Sequence, residues 1–464
     1  MQTALSADAL PRDTVKLSRP HFVSASLSTS VRRKAPPRPP TRDDAVSPNH
    51  DRPEIVQAIP GNHLAIQEFL QRLLHRPSKA EFASATLRPG YEAHERLLIK
   101  NPVDRTLVAH AQLLSQTMCF GHVEIPICRF RDLAVLPELR RRNVDGAMLI
   151  EAEQHAKRSN AMLMIAQGED YRLLQQHGWA TLGCDPVSIV SPQRLLGQLP
   201  PPEEPESPYY AARMPTTEVR IGRLTDLDDL VALHQRDHEG SFGAVARSPE
   251  VWSWLLTKQA HDRIFVYSEN DRALAYVVVA GSSVIELVDV TDNRRGSARV
   301  LEAVGAEAIE QGRHTLRIHA PISHLVHEWA DAAGGQVFAS ATEDAWMVKV
   351  LSYRALLRRL APELHKRKPG VRSEVSIRIG TEEFLIKPGV RSMKVTRATS
   401  KKNRIGISER AAAQLLLGYR TVDELVERKH LVASSKQALE ITRRLFPPQS
   451  LWRTRWDDMP VRNS

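Results

Sequence analysis

The sequence predicts an α/β (α+β) protein: two mixed-sheet modules of the same order, followed by a smaller α+β module. Three observations carry this. The same succession of strand-like and helix-like segments runs twice through the first 350 residues. Proline-rich stretches cut the 464-residue chain into pieces of ordinary domain size. The last third changes to alternating strands closed by three amphipathic helices.

Residues 1–52 are rich in Ser, Pro, Arg and Asp, with KAPPRPPTRDD at 34–44, and bury too little apolar surface to offset chain entropy. A disordered tail is expected there. The first module is expected over 53–198. EIVQAIP reads as a strand and HLAIQEFLQRLLH as an amphipathic helix; strands LLIKN and TLVAHAQLL flank the turn PVDR. ICRFRDLAVL is a strand that runs into a helix, GAMLIEAEQHAKR. Strand AMLMIAQ and a short helix, EDYRLLQQHGW, ended by Gly178, follow. LPPPEEPESP marks a stiff linker, expected over 199–216.

The second module, 217–349, repeats the rhythm. VRIGRL leads to helix DLDDLVALHQRD, strands RIFVYS and ALAYVVVA around ENDR, and strand VIELVDV. Helix ARVLEAVGAEAIEQG, strand TLRIHAP and helix HLVHEWADAAGG complete it. In the third module, 350–464, helix SYRALLRRLAPELHK precedes strands VSIRI, EFLIK, KVTRA and RIGIS. Helices RAAAQLLL, TVDELVERK and SSKQALEITRRLF close it.

Hydrophobic content of 42% and 25% charged residues are those of a globular protein, and no run of 18 apolar residues could span a membrane. Three cysteines, 119, 128 and 184, have neither metal-ligand nor disulfide spacing, so no metal and a reducing cytoplasm are expected. The net charge of +10 is uneven: after residue 350 there are 25 Lys and Arg against 11 Asp and Glu. With neither interleaved aromatics nor a recognisable motif, that third reads as a solvated basic face, and nucleic acid is not an expected partner. His324 and His327 have helical spacing without a third ligand, which suits burial or capping. Trp252 and Trp254 read as core or interface, and Leu415–Leu417 as helix core.

LAVLPELRRRNVDGAML, residues 133–149, resembles motif A of the GCN5-related N-acetyltransferases, V-x-P-x-x-R-x-x-G-x-G/A. Val135, Pro137 and Arg140 match; Asn143 and Asp145 replace the two small residues. LLQQHGW at 173–179 is similar to that family's closing segment, with Gly178 and Trp179 in register. RSPEVWSWLL, RALAYVVV and LLLGYRTVDEL extend the likeness to tandem, enhanced-intracellular-survival (Eis-type) acetyltransferases. That group joins two acetyltransferase folds to a domain shaped like sterol carrier protein, and the resemblance covers about residues 53–450.

The resemblance implies acetyl-CoA, or another acyl-CoA, as co-substrate and an amine as acceptor, on a small molecule or a protein lysine. It also leans towards a homo-oligomer. Backbone groups of Leu133, Ala134 and Val135 would pair with the pantetheine arm. Amides over Asn143, Val144, Asp145, Gly146 and Ala147 would face the pyrophosphate, helped by the helix dipole and by Arg140, Arg141 and Arg142. Asn143 tolerates left-handed dihedrals; Asp145 would repel phosphate if turned inward, and point to solvent if Gly146 and the arginines hold the ligand. The balance of cations favours the solvent-facing placement. In the second module VDVTDNRRGSARVLEA lacks the motif, so no cofactor is expected there.

The family's usual proton donor, a tyrosine four residues before the closing glycine, is Leu174 here. Tyr171, about one turn away, is the alternative acid; Asp132 beside the splayed strand, and Glu169 with Asp170, are further carboxylates near the cleft. Eis-type enzymes also use the chain's terminal carboxylate, but this chain ends in DDMPVRNS, past the resemblance. Two classes therefore stay open: an acyl-CoA-dependent N-acetyltransferase, and a catalytically impaired acyl-CoA-binding or scaffold protein.

Overall fold

The computed structural model describes residues 54–140, 142–168, 170–183, 185–202, 215–258, 260–338, 345–367, 371–400 and 402–458. The tail expected over 1–52, most of the linker, Arg141, Glu169, Cys184 and Ser464 lie outside the described residues.

The early strands are β1 (Ile55–Gln57), β2 (Arg96–Lys100), β3 (Leu107–Phe120), β4 (Val123–Val135), β5 (Leu163–Gln167), β6 (Ala180–Thr181) and β7 (Val187–Val190). The middle ones are β8 (Thr217–Ile221), β9 (Phe242–Val245), β10 (Arg263–Glu269), β11 (Arg272–Ala280) and β12 (Ser283–Asp289). After them come β13 (Leu316–His319), β14 (Gln336–Phe338) and β15 (Trp346–Val350). The last are β16 (Val375–Ile379), β17 (Glu382–Lys387), β18 (Lys394–Thr396), β19 (Arg404–Ile407) and β20 (Leu431–Ala433).

They form three sheets. The first runs β1-β2-β3-β4-β5-β15-β6, with β9 added on β3; the second runs β14-β7-β13-β12-β11-β10-β8; the third runs β18-β17-β16-β19-β20. Each mixes parallel and antiparallel neighbours. The fold is mixed α/β.

Three strands cross the expected module limits; one is β9, of the second stretch, whose Val245 pairs with Met118 of β3. β15, from the end of the second stretch, lies antiparallel to β5, pairing Val348 with Ile165, and also borders β6. β7, from the end of the first stretch, enters the second sheet, where Val190 pairs with Leu316 and Val187 with Phe338. The first sheet thus gains β9 and β15, and the second gains β7. β7 and β15 alternate or run apolar, so either sheet suits them locally. The pairing is decided by tertiary contact.

The first sheet is covered on one face by the helix Val144–Arg158, whose Met148, Leu149, Ala152 and Ala156 are buried against Cys128, Phe130 and Met164. Its other face, with Ile125, Ile127 and Ile165, joins the core of the third sheet, where Leu415, Leu416 and Leu417 are packed. Trp252, on a helix Pro249–Thr257 of the second stretch, is buried with Trp456. The C-terminal segment crosses back over the body: the Trp452 amide donates to the Phe242 carbonyl at 2.8 Å. Gly243 lies beneath it with φ 105°, and a Cβ there would meet the Trp452 backbone at 2.8 Å.

Candidate functional site

β4 and β5 are paired only through Ile127, Cys128 and Arg129. Beyond Arg129 they part, while β4 continues along β3 to Val135. The edge of β4 from Phe130 to Val135 therefore has no strand opposite it on the β5 side. A bulge opposite Ala111 assists the divergence. Asp132 sits in it with φ 52°, in the left-handed region. His110 holds the bulge: Arg96 Nη1 donates to its Nε2 at 3.1 Å, which leaves the proton on Nδ1 to be donated to the Asp132 carbonyl at 2.9 Å. Burial, then the Arg96 charge, pushes that imidazole down to about 3, so it stays neutral.

The opening is a cleft of about 550 Å³ between the two strands. Phe130, Asp132 and Leu133 line it from β4, Ala166 and Gln167 from β5, and Arg140 and Leu174 from the short helices that follow these strands. Ala134 and Val135 are buried behind. Shortly after Arg140 the chain enters the helix Val144–Arg158. Asn143 precedes it with φ 56° and ψ 34°, the conformation that asparagine adopts with least strain after glycine. Its amide side chain lies over Gly146, where a Cβ would come within 2.5 Å of Oδ1. Asp145 Oδ1 accepts the Gly146 N–H at 2.9 Å. The carboxylate thus turns in to the helix end instead of out to solvent, because unpaired amides and the helix dipole attract it. The Ala147 amide is already bonded to the Asn143 carbonyl; Val144 is buried, and Arg140 and Arg142 are exposed.

A second cavity, of about 200 Å³, adjoins the first, sharing Arg76, Arg131, Asp132 and Asp458. The helix Lys79–Thr86 and Arg88 form one wall, and Trp254, Lys258 and Asp457 the other. The walls are tied together where Trp254 Nε1 donates to the Ser84 carbonyl at 3.0 Å. Asp457 and Asp458 are delivered by the C-terminal segment. Asp458 binds Arg129 and lies 3.3 Å from Arg453 Nη2. Asp457 Oδ1 receives Arg247 Nε at 2.9 Å, and Arg247 also clasps the Glu286 carboxylate.

These surroundings set the charges. Burial would raise the Asp132 carboxyl, but Arg131, Arg96 and Arg76 outweigh it and hold it below the usual range. Asp185, lining the first cleft, is pushed up to about 6 by burial, against the Trp346 indole N–H that it accepts at 2.8 Å. Lys258 is pulled down to about 7, chiefly by burial, with its Nζ 3.0 Å from the Trp456 carbonyl and 4.3 Å from the Trp254 ring centroid. Burial pushes the Cys128 thiol up to about 12, so it is no thiolate nucleophile.

Among the sequence candidates, Tyr171 does not line the cleft. Its hydroxyl accepts from Gln175 Nε2 at 2.5 Å, and its ring packs on the core beneath the helix Tyr171–Gln176. Leu174, on that helix, does face the cleft, with nothing to donate. Asp170 lines it as well. His324 accepts the Val326 N–H and His327 bonds Ser188 and the Ala320 carbonyl; among the described residues no group of three or more ligating side chains could hold a metal. In the second sheet the corresponding helix, Arg295–Glu310, has its first amides filled: Asp289 accepts from Ser297 N and Thr291 from Gly296 N. Lys258, Asp185 and Asp457 were not singled out from the sequence, which shows no local sign of their burial.

No family model matches the sequence, and no curated protein does. Solved structures do. A GCN5-related N-acetyltransferase from Kribbella flavida superposes with a TM-score of 0.66 at 14% identity, over 86% of this chain and 97% of that one. Another from Anabaena variabilis gives 0.68 at 13%, over 87% and 99%. Eis1 from Mycobacterium abscessus gives 0.60 at 16%, over 86% and 98%. At such identities the likeness speaks for architecture. The chain has the mixed α/β fold of the GCN5-related N-acetyltransferases.

Proposed function

We propose that this chain is an acyl-CoA-dependent N-acyltransferase, most simply an acetyltransferase acting on a primary amine. In this reading two tandem acetyltransferase modules exchange strands, and the C-terminal module has the shape of sterol carrier protein. The observation that carries it is the parting of β4 from β5 shortly before a helix N-terminus. Pantetheine pairs with the free edge at Leu133–Val135 and the pyrophosphate meets the amides of Val144, Asp145 and Gly146, next to Arg140. The amine enters the smaller cavity and reaches the thioester near Asp132.

Attack by the amine on the thioester carbonyl forms a tetrahedral oxyanion; its collapse releases the thiolate, and the nitrogen must lose a proton. Lys258, held near neutrality on the amine side, takes that proton. Asp132 stays ionised and, with Asp457 across the cavity, steadies the ammonium, which passes one proton to solvent before the free amine attacks. With Leu174 in place of a tyrosine, Asp185 is the acid closest to neutral pH on the donor side, and it protonates the leaving thiolate. Thiol release from acetyl-CoA, followed across a panel of amines, tests the reading; no release above a boiled control with any amine refutes it.

A second reading rests on Leu174 and on Asp145 occupying the Gly146 amide: an acyl-CoA-binding protein without turnover. Calorimetric binding of acetyl-CoA with no thiol release from any amine favours it.

A further inference from the structure

The smaller cavity is unevenly satisfied. Of its acids, Glu81 caps its own helix by accepting the Ser78 amide at 2.5 Å, and Asp458 is taken by Arg129 and Arg453. Asp132 stands 3.7 Å from Arg131. On the cationic side, Arg76 and Arg88 have no hydrogen-bonded or ion-paired side chain among the described residues, although both line the cavity. Arg96 is 1% exposed, and its guanidinium bonds only neutral groups, the Tyr91 hydroxyl and the His110 ring, each at 3.1 Å. The Asp132 carboxylate faces Arg131, Arg96 and Arg76 together, one anion among three cations, and a further anion in the cavity offsets the remainder. On the opposite wall, where Arg247, Arg453 and Lys258 surround Asp457, one acceptor atom is unused. Asp457 Oδ2 is buried there with no hydrogen-bond partner, while its other oxygen is held by Arg247.

We infer that the acceptor is a zwitterion: a compact primary amine that carries its own carboxylate, with the acid on Arg76, Arg88 and Arg96 and the ammonium towards Asp457. This rests on the acyltransferase reading above and narrows its substrate class. A volume of about 200 Å³ equals about seven waters at roughly 30 Å³ each. That fits an amino acid or dipeptide, not an extended polycation. Guanidinium forks match a carboxylate in geometry as well as charge. A polyamine, by contrast, would place further ammonium groups beside Arg76 and Arg88.

The test offers α-amino acids and dipeptides, each as free acid and as methyl ester, together with spermidine and O-phosphoethanolamine, and follows thiol release from acetyl-CoA. A charge-assisted bond to the acid makes kcat/KM for free acids at least about tenfold higher than for their esters. Arg88→Gln lowers the free-acid value about tenfold and brings the acid-to-ester ratio close to one. Esters, spermidine or O-phosphoethanolamine acylated as well as the best free acid overturn the inference, as does an unchanged ratio in Arg88→Gln. If no amine is turned over, the acyltransferase reading fails on its own account. Calorimetric titration with the free acids then decides this inference: binding that weakens about tenfold in Arg88→Gln supports it, and no binding, or binding indifferent to the variant, overturns it.

Discussion

Asp145→Asn is expected to tighten acetyl-CoA binding. In the structure the Asp145 carboxylate accepts the Gly146 N–H at 2.9 Å, one of the few donors that the helix end has to offer a pyrophosphate. A phosphate there lies about 4 Å from the carboxylate. Two unit charges at that distance repel by roughly 4 kcal/mol at an effective dielectric near 20. The side chain is half-buried, and physiological salt screens over about 8 Å, which leaves roughly 1 to 2 kcal/mol. Freeing the Gly146 amide costs about 1 kcal/mol, regained when a phosphate oxygen replaces the carboxylate. Removing the charge while keeping the side-chain oxygen therefore strengthens affinity about five- to thirtyfold. Isothermal titration of acetyl-CoA into parent and variant measures it, and the gain should shrink as salt is raised. Equal affinities, with Arg140→Ala weaker than parent, would mean that the carboxylate swings clear of the ligand. If neither variant differs from parent, the coenzyme does not use this helix end.

Tyr171→Phe should keep thiol release within about twofold of parent, because the lost hydroxyl serves Gln175 and not the cleft; a drop of a hundredfold would make Tyr171 the acid after all. Asp185 has its pKa raised to about 6 in the fold from about 4 unfolded. The stability it gains by holding a proton is full below pH 4 and gone once the pH has risen through 6. Asp185→Asn should thus be more stable by on the order of 2 kcal/mol at pH 7.5 and no more stable at pH 4, while its turnover falls; thermal melts at both pH values and initial rates check the pair of effects. With Lys258 near 7, turnover should rise as the pH passes through 7 and this lysine loses its proton. Lys258→Met should flatten that limb, whereas an unchanged profile removes Lys258 from the chemistry. Arg247→Met leaves Glu286 and Asp457 buried without their shared cation, a loss of about 3 to 5 kcal/mol that urea denaturation would read; a loss below 1 kcal/mol contradicts the buried network.

Local pattern made much of the architecture legible. The helix expected over 146–158 and the strand over 161–167 follow from apolar spacing and are found at Val144–Arg158 and Leu163–Gln167, and Leu174 could be seen to lack a proton. The exchange of β7 and β15 could not be read. VSIV and WMVKV are short apolar runs that pair equally well in either sheet, and their choice depends on contacts more than 120 residues away in sequence. The second cavity was equally hidden. Asp457 and Asp458 look like solvated acids in a basic tail, and only the C-terminal segment crossing over Gly243 brings them inside. Lys258 follows a helix that reads as ordinary core; its lowered pKa comes from burial, with Arg247, Arg131 and Arg88 adding to it against the pull of Asp457. Asp145 was expected to face solvent on the balance of nearby cations, but the unpaired amides of its own helix are nearer than bulk water.

Amide hydrogen exchange with and without acetyl-CoA tests the placement of the coenzyme most directly. The edge of β4 from Leu133 to Val135 and the first turn of the helix at Val144–Ala147 should exchange more slowly once the ligand is bound, with the equivalent turn at Arg295–Ala298 of the second sheet unaffected. Protection confined to the second sheet or the C-terminal module, or binding without protection at either β4 or the helix Val144–Arg158, contradicts the account.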